Sequence, residues 1–344
     1  MKALKFVKTQ DYQVVDIPEP VQDGEHVIID VEAVGLCGSD IEIWKGSKVF
    51  PSGIIIGHEF CGTVTDPGPR SDLAVGDRVV GIPLNYCGKC SFCQQKKENL
   101  CSQTIQKGGP GVSVDGACTP KFAITAGMAL KTRKDVDPKA LAFAEPLSGT
   151  HHATVTIGKV KKDEKVLVIG GGLIGLLCAW WSMHQGAYTV ISEVNPDRIA
   201  HIKKTNAAND VLDPTADGEL DKFVEKTGGG FDVCIVCAPP NDALYNGAVL
   251  KMTAKGGRIV QMTCYEGLVA LNFFAMQYKE LSLAFSWSET EEDFKEALKA
   301  AETYPDDFLA HVTKVIPMDQ VQEQAVMTVE HRTNDVKVMI DPNL

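Results

Sequence analysis

Residues 165–193 read KVLVIGGGLIGLLCAWWSMHQGAYTVISE, and they carry the strongest fold signal in the chain. An apolar run of strand type at 166–169 leads directly into three consecutive glycines, and an apolar helical stretch follows from Leu176. A second apolar run ends at Glu193, about 20 residues after the glycines. This order of strand, glycine turn, helix, strand and acidic residue predicts a dinucleotide-binding unit built on a parallel sheet.

The glycine turn has the spacing GxGxxG, with Gly170, Gly172 and Gly175 at the fixed positions. The first allows a tight turn, the second lets the backbone approach a pyrophosphate, and the third permits close packing of the helix on the strand. A pyrophosphate would then lie on the helix N-terminus, next to Leu173 and Ile174. We therefore expect these five residues to contact a dinucleotide cofactor.

The acidic residue at the end of the second strand, Glu193, indicates which dinucleotide binds. Its carboxylate is expected to accept hydrogen bonds from the adenosine ribose and to repel a 2′-phosphate, which favours NAD over NADP. Asn195 and Pro196 begin the next helix, and Arg198 in its first turn is a further candidate for cofactor binding.

The two ends of the chain have a different pattern from this central part. Short alternating runs separated by Pro and Gly fill roughly the first 135 residues and predict an all-β domain, either a rolled sheet or a barrel. Further strand-type runs at 231–237, 257–262 and 280–285 extend the α/β domain, and the tail from 312 resembles the β part again. The predicted domains are 1–147 together with 288–344, and an inserted domain over 148–287.

Residues 33–62 contain Cys37, His58 and Glu59, flanked by glycines. Thiolate, imidazole and carboxylate are the ligand types of zinc, and three protein ligands are typical of a catalytic ion with an open position. A single cysteine is also common as a small buried apolar residue, and a single histidine is common in a core. The stretch alone leaves both interpretations open.

Four cysteines at 87, 90, 93 and 101 have the spacing C-x2-C-x2-C-x7-C on a polar loop. Such a set is complete for one tetrahedral zinc ion, so Cys87, Cys90, Cys93 and Cys101 predict a structural zinc site that folds the loop. An iron–sulfur cluster, redox pairs and accidental clustering are the alternatives.

Glu145 lies in an otherwise apolar segment, directly before Pro146. A buried carboxylate must be paired or must bind a metal, so Glu145 is either a further metal ligand or part of an ion pair. Because a residue before proline is biased away from the helix, we expect an extended conformation there.

Composition limits the function classes. The net charge of −11, from 34 basic and 45 acidic residues, argues against a nucleic-acid partner. No apolar run of about 20 residues is present, so no membrane span is expected. The charged, alternating N-terminus predicts a first strand rather than a signal peptide, and the expected location is cytoplasmic. In that compartment, 11 cysteines favour metal binding over disulfides.

Several motifs occur together over the length of the chain. They are Cys37-Gly-Ser-Asp40, Gly57-His58-Glu59, Gly76-Asp77-Arg78-Val79, the four cysteines from 87 to 101, Glu145-Pro146-Leu147 and Gly170 to Gly175. In this order and spacing the chain resembles the zinc-dependent medium-chain alcohol dehydrogenases. The Glu-Pro-Leu motif resembles the polyol branch of that family, which includes sorbitol, threonine and butanediol dehydrogenases.

The resemblance implies an α/β protein with a GroES-like β-barrel catalytic domain and a Rossmann doubly wound domain. It also implies one catalytic and one structural zinc, and hydride transfer from a secondary alcohol of a polyol, cyclitol or sugar derivative to NAD, which gives a ketone. Cys37 and His58 would bind the catalytic zinc, with Glu59 and Glu145 as candidates for the remaining places. Ser39 matches the hydroxyl that begins the proton relay of the family.

The sequence departs from the family pattern near this site. Many relatives carry a histidine five residues after the zinc cysteine, where this chain has Glu42. Trp44 could stack on a sugar ring or pack in the core. Lys121 ends the segment 116–121, whose sequence differs from the Gly-Ala-Phe-Ala-Glu-Tyr run that is usual in the family. Glu42, Trp44 and Lys121 are therefore the candidates for substrate recognition.

Two other functions fit parts of the pattern. An amino-alcohol substrate such as threonine would suit the charge of Glu42. A non-catalytic nucleotide-binding protein of the same fold is the alternative from a different class, although a retained open metal site argues against it. The resemblance also implies a homodimer or homotetramer, joined through the sheet edge near 281–285.

Overall fold

The computed structural model describes residues 1–46, 52–265 and 267–344. The chain forms two compact units. The first unit contains Met1–Ser148 and Thr290–Leu344, and the second contains Gly149–Glu289. The second unit is therefore inserted between two segments of the first.

Fifteen strands occur in the described residues: β1 Lys2–Lys8, β2 Asp11–Asp16, β3 His26–Gly35, β4 Glu59–Asp66, β5 Arg78–Gly81, β6 Lys121–Thr125, β7 Ala129–Thr132, β8 Lys165–Ile169, β9 Tyr188–Ser192, β10 Asp210–Leu212, β11 Phe231–Val236, β12 Thr253–Gln261, β13 Ser282–Phe285, β14 Val312–Pro317 and β15 Lys337–Asp341. The α-helices of the same residues are α1 Gly38–Lys45, α2 Ser91–Gln94, α3 Thr104–Lys107, α4 Pro138–Leu141, α5 Ala144–His151, α6 Leu173–His184, α7 Pro196–Thr205, α8 Glu219–Lys226, α9 Asp242–Leu244, α10 Leu250–Met252, α11 Phe273–Tyr278, α12 Glu291–Thr303, α13 Pro305–Leu309 and α14 Val321–Val329. Short 3₁₀ segments lie at Glu98–Leu100, Ala126–Met128 and Met318–Gln320, and π-helical segments lie at His152–Ile157 and Tyr245–Val249.

The first unit is built on a seven-stranded sheet in the order β14-β15-β3-β4-β5-β7, with β6 paired to β3. Its pairings are antiparallel except that of β14 with β15. β3 is the central strand, and its apolar residues Val27, Ile29 and Val34 are fully buried. Because β15 pairs with β3, the C-terminal segment completes the sheet that carries the candidate metal ligands.

The second unit is a six-stranded parallel sheet in the order β10-β9-β8-β11-β12-β13. The parallel sheet is the one that the glycine motif predicted, and the reversal of strand order at β8 is the doubly wound arrangement that the family resemblance implied. β8 and β11 are buried on both faces, as their nearly continuous apolar sequences require.

The structure differs from the sequence-based expectation at the start of the chain, where few helices were predicted before residue 138. α1 begins after Cys37 and is followed by its C-cap residue Gly46, whose φ of +93° suits a glycine. A helix of eight residues is too short to give a clear apolar period, so the alternating strands around it determined the prediction.

Among the helices of the described residues, none is both long enough and apolar enough to cross a bilayer.

Candidate metal centre and cofactor site

Cys37 lies between the end of β3 and the start of α1. Cys37 occupies the N-cap position of α1, with extended backbone angles of −93° and 157°. Asp40, at the third helical position, accepts a hydrogen bond from the Cys37 N–H through Oδ2, at 2.9 Å. The carboxylate thereby satisfies a free N–H at the helix start and fixes the backbone that carries the thiol.

A tight glycine turn places His58 and Glu59 at the start of β4. Gly57 has a φ of +100°, and a Cβ there would lie 2.9 Å from a Val34 methyl group and 3.0 Å from the Cys118 nitrogen. β4 then pairs with β3 so that Glu59 faces Gly35. Glycine is therefore required both by the backbone angle and by the lack of space.

These elements bring three donor groups together, and we call the set Cys37, His58 and Glu59 the Cys37 site. Their ligand atoms lie within 4.8 Å of one another. His58 and Glu59 are only 3% and 1% exposed. Ser39 Oγ lies 3.3 Å from His58 Nε2. A sulfur, a nitrogen and an oxygen donor, converging in a buried place, fit the ligand set of a catalytic zinc ion.

The electrostatics of the Cys37 site favour a cation. Burial raises the pKa of the Cys37 thiol to about 12, and the carboxylates of Glu59 and Asp40 add to this effect. Burial acts to lower the pKa of His58, but Asp40, Glu145 and Glu59 outweigh it, so this pKa is raised. The protein alone keeps a proton on the thiol, and a bound cation would make the thiolate the stable form.

Glu145 lies in α5, half-buried, and outside the set of three donors within 4.8 Å. It is near enough for its charge to raise the pKa of His58. The expected extended conformation is wrong, because Glu145 and Pro146 both belong to the first turn of α5. Proline is tolerated there because first-turn N–H groups have no acceptor within the helix.

The four cysteines form a second metal-type cluster, which we call the four-cysteine site. Their sulfur atoms lie within 4.8 Å of one another, with Cys93 Sγ 3.5 Å from Cys90 Sγ and 3.9 Å from Cys87 Sγ. Four sulfurs around one ion at about 2.3 Å would be separated by about 3.8 Å. Cys87 donates its N–H to Cys101 Sγ at 3.3 Å. This spacing fits a single ion better than a cluster of several metal atoms.

Backbone N–H groups stabilise thiolates in this loop. The N–H groups of Cys93 and Ser102 lower the pKa of Cys90 to about 5. Burial acts to raise the pKa of Cys101, but hydrogen bonds from the N–H groups of Gln103 and Cys87 outweigh it. Burial, with the neighbouring Cys90 thiolate, raises the pKa of Cys93 to about 12. The thiolate of Cys90 is thus formed in advance at neutral pH, and a metal ion would displace the proton of Cys93.

The glycine turn of the second unit has the geometry of a phosphate-binding loop. Gly170 has a φ of +106°, and a Cβ at Gly175 would collide with the Gly170 carbonyl oxygen. A Cβ at Gly172 would meet no atom within 4 Å, so the backbone there is open to a ligand. Leu173 and Ile174 are the first residues of α6, where N–H groups lack acceptors within the helix. The turn fits a pyrophosphate.

Glu193 follows β9 and lies beside the glycine turn. Its Oε2 accepts a hydrogen bond from the Gly171 N–H at 2.8 Å, and its Oε1 accepts from Val194 and Asn195 at 2.7 and 2.9 Å. Arg198 Nη1 lies 3.7 Å from Oε2. The carboxylate is 6% exposed and held in one orientation, while the nearby guanidinium offsets part of its charge.

Two of the candidate substrate residues form ion pairs on the surface. Glu42 Oε1 accepts a hydrogen bond from Lys45 at 2.8 Å, and about half of each side chain is exposed. Lys121 donates to Glu19 at 2.9 Å. Neither side chain belongs to the donor set of the Cys37 site.

The third candidate, Trp44, is 5% exposed. Its Nε1 donates a hydrogen bond to Gln322 Oε1 at 3.0 Å, and the same oxygen accepts the Tyr12 N–H at 2.9 Å. The indole therefore ties α1 to α14. A buried ring offers no open face to a substrate, so we assign Trp44 to packing rather than to stacking on a sugar.

The sequence reasoning missed Lys337, which is 2% exposed and forms an ion pair with Glu59 Oε2. The local pattern carries no signal for this, because Lys337 shares its face of β15 with Met339 and Asp341, opposite Val338 and Ile340. Its partner lies 278 residues earlier, and no local pattern connects the two positions.

Comparison with known proteins yields matches over most of the chain. Residues 23–134 match the alcohol dehydrogenase GroES-like domain, and residues 174–303 match the zinc-binding dehydrogenase domain. A sorbitol dehydrogenase from Halalkalibacterium halodurans is 32% identical over 308 residues, which are 87% of each chain. An L-threonine 3-dehydrogenase from Streptomyces coelicolor is 34% identical over 72% of each chain.

Solved structures have the same fold. A chain from Sinorhizobium meliloti 1021, solved with NADP bound, superposes with a TM-score of 0.90 at 25% identity and covers 99% of both chains. The two family models together account for most of the chain, and the sorbitol dehydrogenase exceeds 30% identity over most of its length. The chain therefore belongs to the zinc-dependent medium-chain alcohol dehydrogenases, within the polyol dehydrogenase part of that family.

Proposed function

We propose that this alcohol dehydrogenase oxidises a secondary hydroxyl of a polyol, cyclitol or sugar derivative to a ketone, with NAD as the hydride acceptor. The observation that carries the proposal is the convergence of Cys37, His58 and Glu59 within 4.8 Å in a buried place. The sorbitol dehydrogenase relative supports the substrate class.

Cys37 and His58 are proposed as ligands of the catalytic zinc, with Glu59 as the third. Glu145 is proposed to occupy the remaining coordination position of the zinc, directly or through water, because its carboxylate is near enough to raise the pKa of His58. When bound, zinc would polarise the substrate hydroxyl and NAD would accept the hydride. The protein orients these groups and provides the buried surroundings.

Ser39 is proposed to relay the proton that the alcohol loses, because its oxygen can accept that proton while its own hydroxyl proton passes on. Its Oγ lies beside His58 and is half-buried, so that it connects the Cys37 site with solvent. The relay histidine of many relatives is replaced by Glu42, which binds Lys45. We therefore propose that the proton leaves from Ser39 to water.

NAD is proposed to lie on the glycine turn, with its pyrophosphate at Gly172, Leu173 and Ile174. The support is the open space above Gly172 and the free N–H groups of the first turn of α6. Glu193 is proposed to bind the adenosine ribose, since its carboxylate is rigidly held by three N–H groups. A fixed anion there disfavours a 2′-phosphate.

The four-cysteine site is proposed to bind the second, structural zinc, because its sulfur spacing suits one tetrahedral ion. A homodimer or homotetramer is proposed to form through β13, the outer strand of the parallel sheet. Phe285 on that strand is 69% exposed, and an uncovered strand edge with a large apolar side chain favours pairing with a second copy.

A substrate panel tests the proposal. The zinc-loaded protein is incubated with NAD and with polyols, cyclitols and sugar acids, and NADH formation is followed by absorbance. Failure to reduce NAD with every hydroxylated substrate, although zinc is bound, contradicts the proposal. L-threonine belongs in the panel, because threonine dehydrogenases are among the relatives. A preference for L-threonine over all neutral polyols would favour the amino-alcohol alternative.

A further inference from the structure

Lys337 is a buried lysine at the centre of the first unit. It begins β15, which pairs with β14 on one side and with β3 on the other. Its side chain is 2% exposed. An ammonium group in such a place is expensive to keep unless an anion and hydrogen-bond acceptors surround it.

The surroundings of the Lys337 ammonium group are specific. It contacts Glu59 Oε2 in an ion pair and donates to the Leu36 carbonyl oxygen at 3.2 Å. It lies 5.9 Å from the centre of the Phe143 ring. A Cβ at Gly35 would collide with Glu59 Oε2 and would lie 2.7 Å from Lys337 Nζ. β3 therefore lacks a side chain at the point where the ion pair needs the space.

The position of Lys337 matters because of the charges nearby. With an ion bound, the Cys37 thiolate and the Glu59 carboxylate would lie in the donor set, and the carboxyl groups of Asp40 and Glu145 would lie close enough to affect His58. Excess negative charge strengthens metal binding and reduces the power of the ion to polarise a substrate. Lys337 offsets one of these charges, and it does so on the carboxylate that belongs to the donor set.

We propose that Lys337 is a positioning residue that holds Glu59 by Oε2 and thereby sets the geometry and strength of metal binding at the Cys37 site. This inference rests on the proposed function, since it assumes a metal ion bound by Cys37, His58 and Glu59. Without the ammonium group, Glu59 is free to turn towards the metal with its full charge. The ion is then held more tightly and in a different coordination geometry.

The test compares Lys337→Met, which removes the charge at similar volume, with Lys337→Arg, which keeps it. Lys314→Met on the neighbouring strand β14 is the matched control, because Lys314 binds Gln324 rather than the metal ligands. Zinc affinity is measured by competition with a chelator. The visible spectrum of cobalt is recorded after the four-cysteine site has been filled with zinc.

We expect Lys337→Met to bind zinc at least about tenfold more tightly and to change the cobalt spectrum. Lys337→Arg and Lys314→Met should resemble the parent protein in both measurements. Unchanged or weaker zinc binding in Lys337→Met, with an unchanged cobalt spectrum, overturns the inference and leaves Lys337 a purely structural residue.

Lys337→Met leaves Glu59 unpaired and can fail to fold, so a second comparison removes both charges. Glu59→Ala, which removes the acceptor of Lys337, is compared with Glu59→Ala/Lys337→Met, both at excess cobalt. Because Lys337 acts through Glu59, the two spectra should coincide, and different spectra overturn the inference. If the parent protein binds no metal at the Cys37 site, the proposed function fails instead, which separates the two failures.

Discussion

Asp40 Oδ1 lies 3.8 Å from His58 Nδ1, and both side chains are buried. The separation is too long for a hydrogen bond, and neither atom has a hydrogen-bond partner among the described residues. The facing carboxylate favours a proton on Nδ1, which leaves Nε2 free to bind a metal. The relationship leads to the first prediction.

Replacing Asp40 by Asn should weaken zinc binding at the Cys37 site by about 10- to 100-fold, because the imidazole loses the anion that orients it. Zinc affinity by chelator competition measures the effect. Asp23→Asn is the matched control, since Asp23 also lies beside a histidine, His26, at 2.7 Å but on the surface. Equal zinc affinity in Asp40→Asn and the control would contradict the role given to Asp40.

Zinc binding at the Cys37 site should become stronger as pH rises. The pKa of the Cys37 thiol is about 12, so the thiol holds its proton at neutral pH and zinc must displace it. Each pH unit between 6 and 9 should then raise the apparent affinity by about tenfold. The raised pKa of His58 steepens the dependence at the acidic end. Affinity measured by chelator competition across this range provides the check, and a flat profile would refute the prediction.

Replacing Cys101 by Ser should remove one zinc ion per chain and lower the thermal stability, because the four-cysteine site folds its own loop. Metal analysis and a thermal melt measure both effects. Cys264→Ser, which alters an exposed cysteine, should change neither. Full zinc content in Cys101→Ser would mean that the four sulfurs do not bind the structural ion.

Replacing Glu193 by Gln should raise the KM for NAD by about tenfold, since a charged hydrogen-bond acceptor for the ribose is lost. The KM for NADP should fall, because the repulsion of the 2′-phosphate is removed. Glu219→Gln is the control in the same unit, where Glu219 forms an ion pair with Lys222 within α8. An unchanged ratio of kcat/KM for NAD and NADP would argue against the ribose-binding role.

Replacing Phe285 by Glu should shift the protein to a smaller oligomer, because a charge is placed on the open edge of the parallel sheet. Light scattering after gel filtration measures the mass. Val315→Glu is a suitable control, since Val315 is 47% exposed on β14, an outer strand of the other sheet. A monomeric parent protein would make the oligomer proposal wrong.

The sequence predicted those features whose determinants are close together in the chain. The GxGxxG turn, for example, needs its glycines for backbone angles and space within six residues, and both requirements are visible locally. The fold class follows from such motifs, and the structure and the family comparison confirm it.

Features that depend on tertiary contacts were missed or misjudged. Pro146 was expected to keep Glu145 out of a helix, but packing places both in the first turn of α5. Trp44 was a candidate for substrate binding or for packing, and its burial and its contact with Gln322 favour packing. The Glu59–Lys337 pair joins two strands far apart in sequence, so no local pattern could reveal it.

The insertion of the second unit has a consequence for synthesis. β3, β4 and the segment between them, which contains Cys37 and His58, leave the ribosome long before β15, because 278 residues separate Glu59 from Lys337. The nascent chain must therefore hold an incomplete sheet, with an uncompensated Glu59, while the whole nucleotide-binding unit is translated. An ion that binds to the nascent chain is therefore surrounded by its final set of charges only after β15 has joined the sheet.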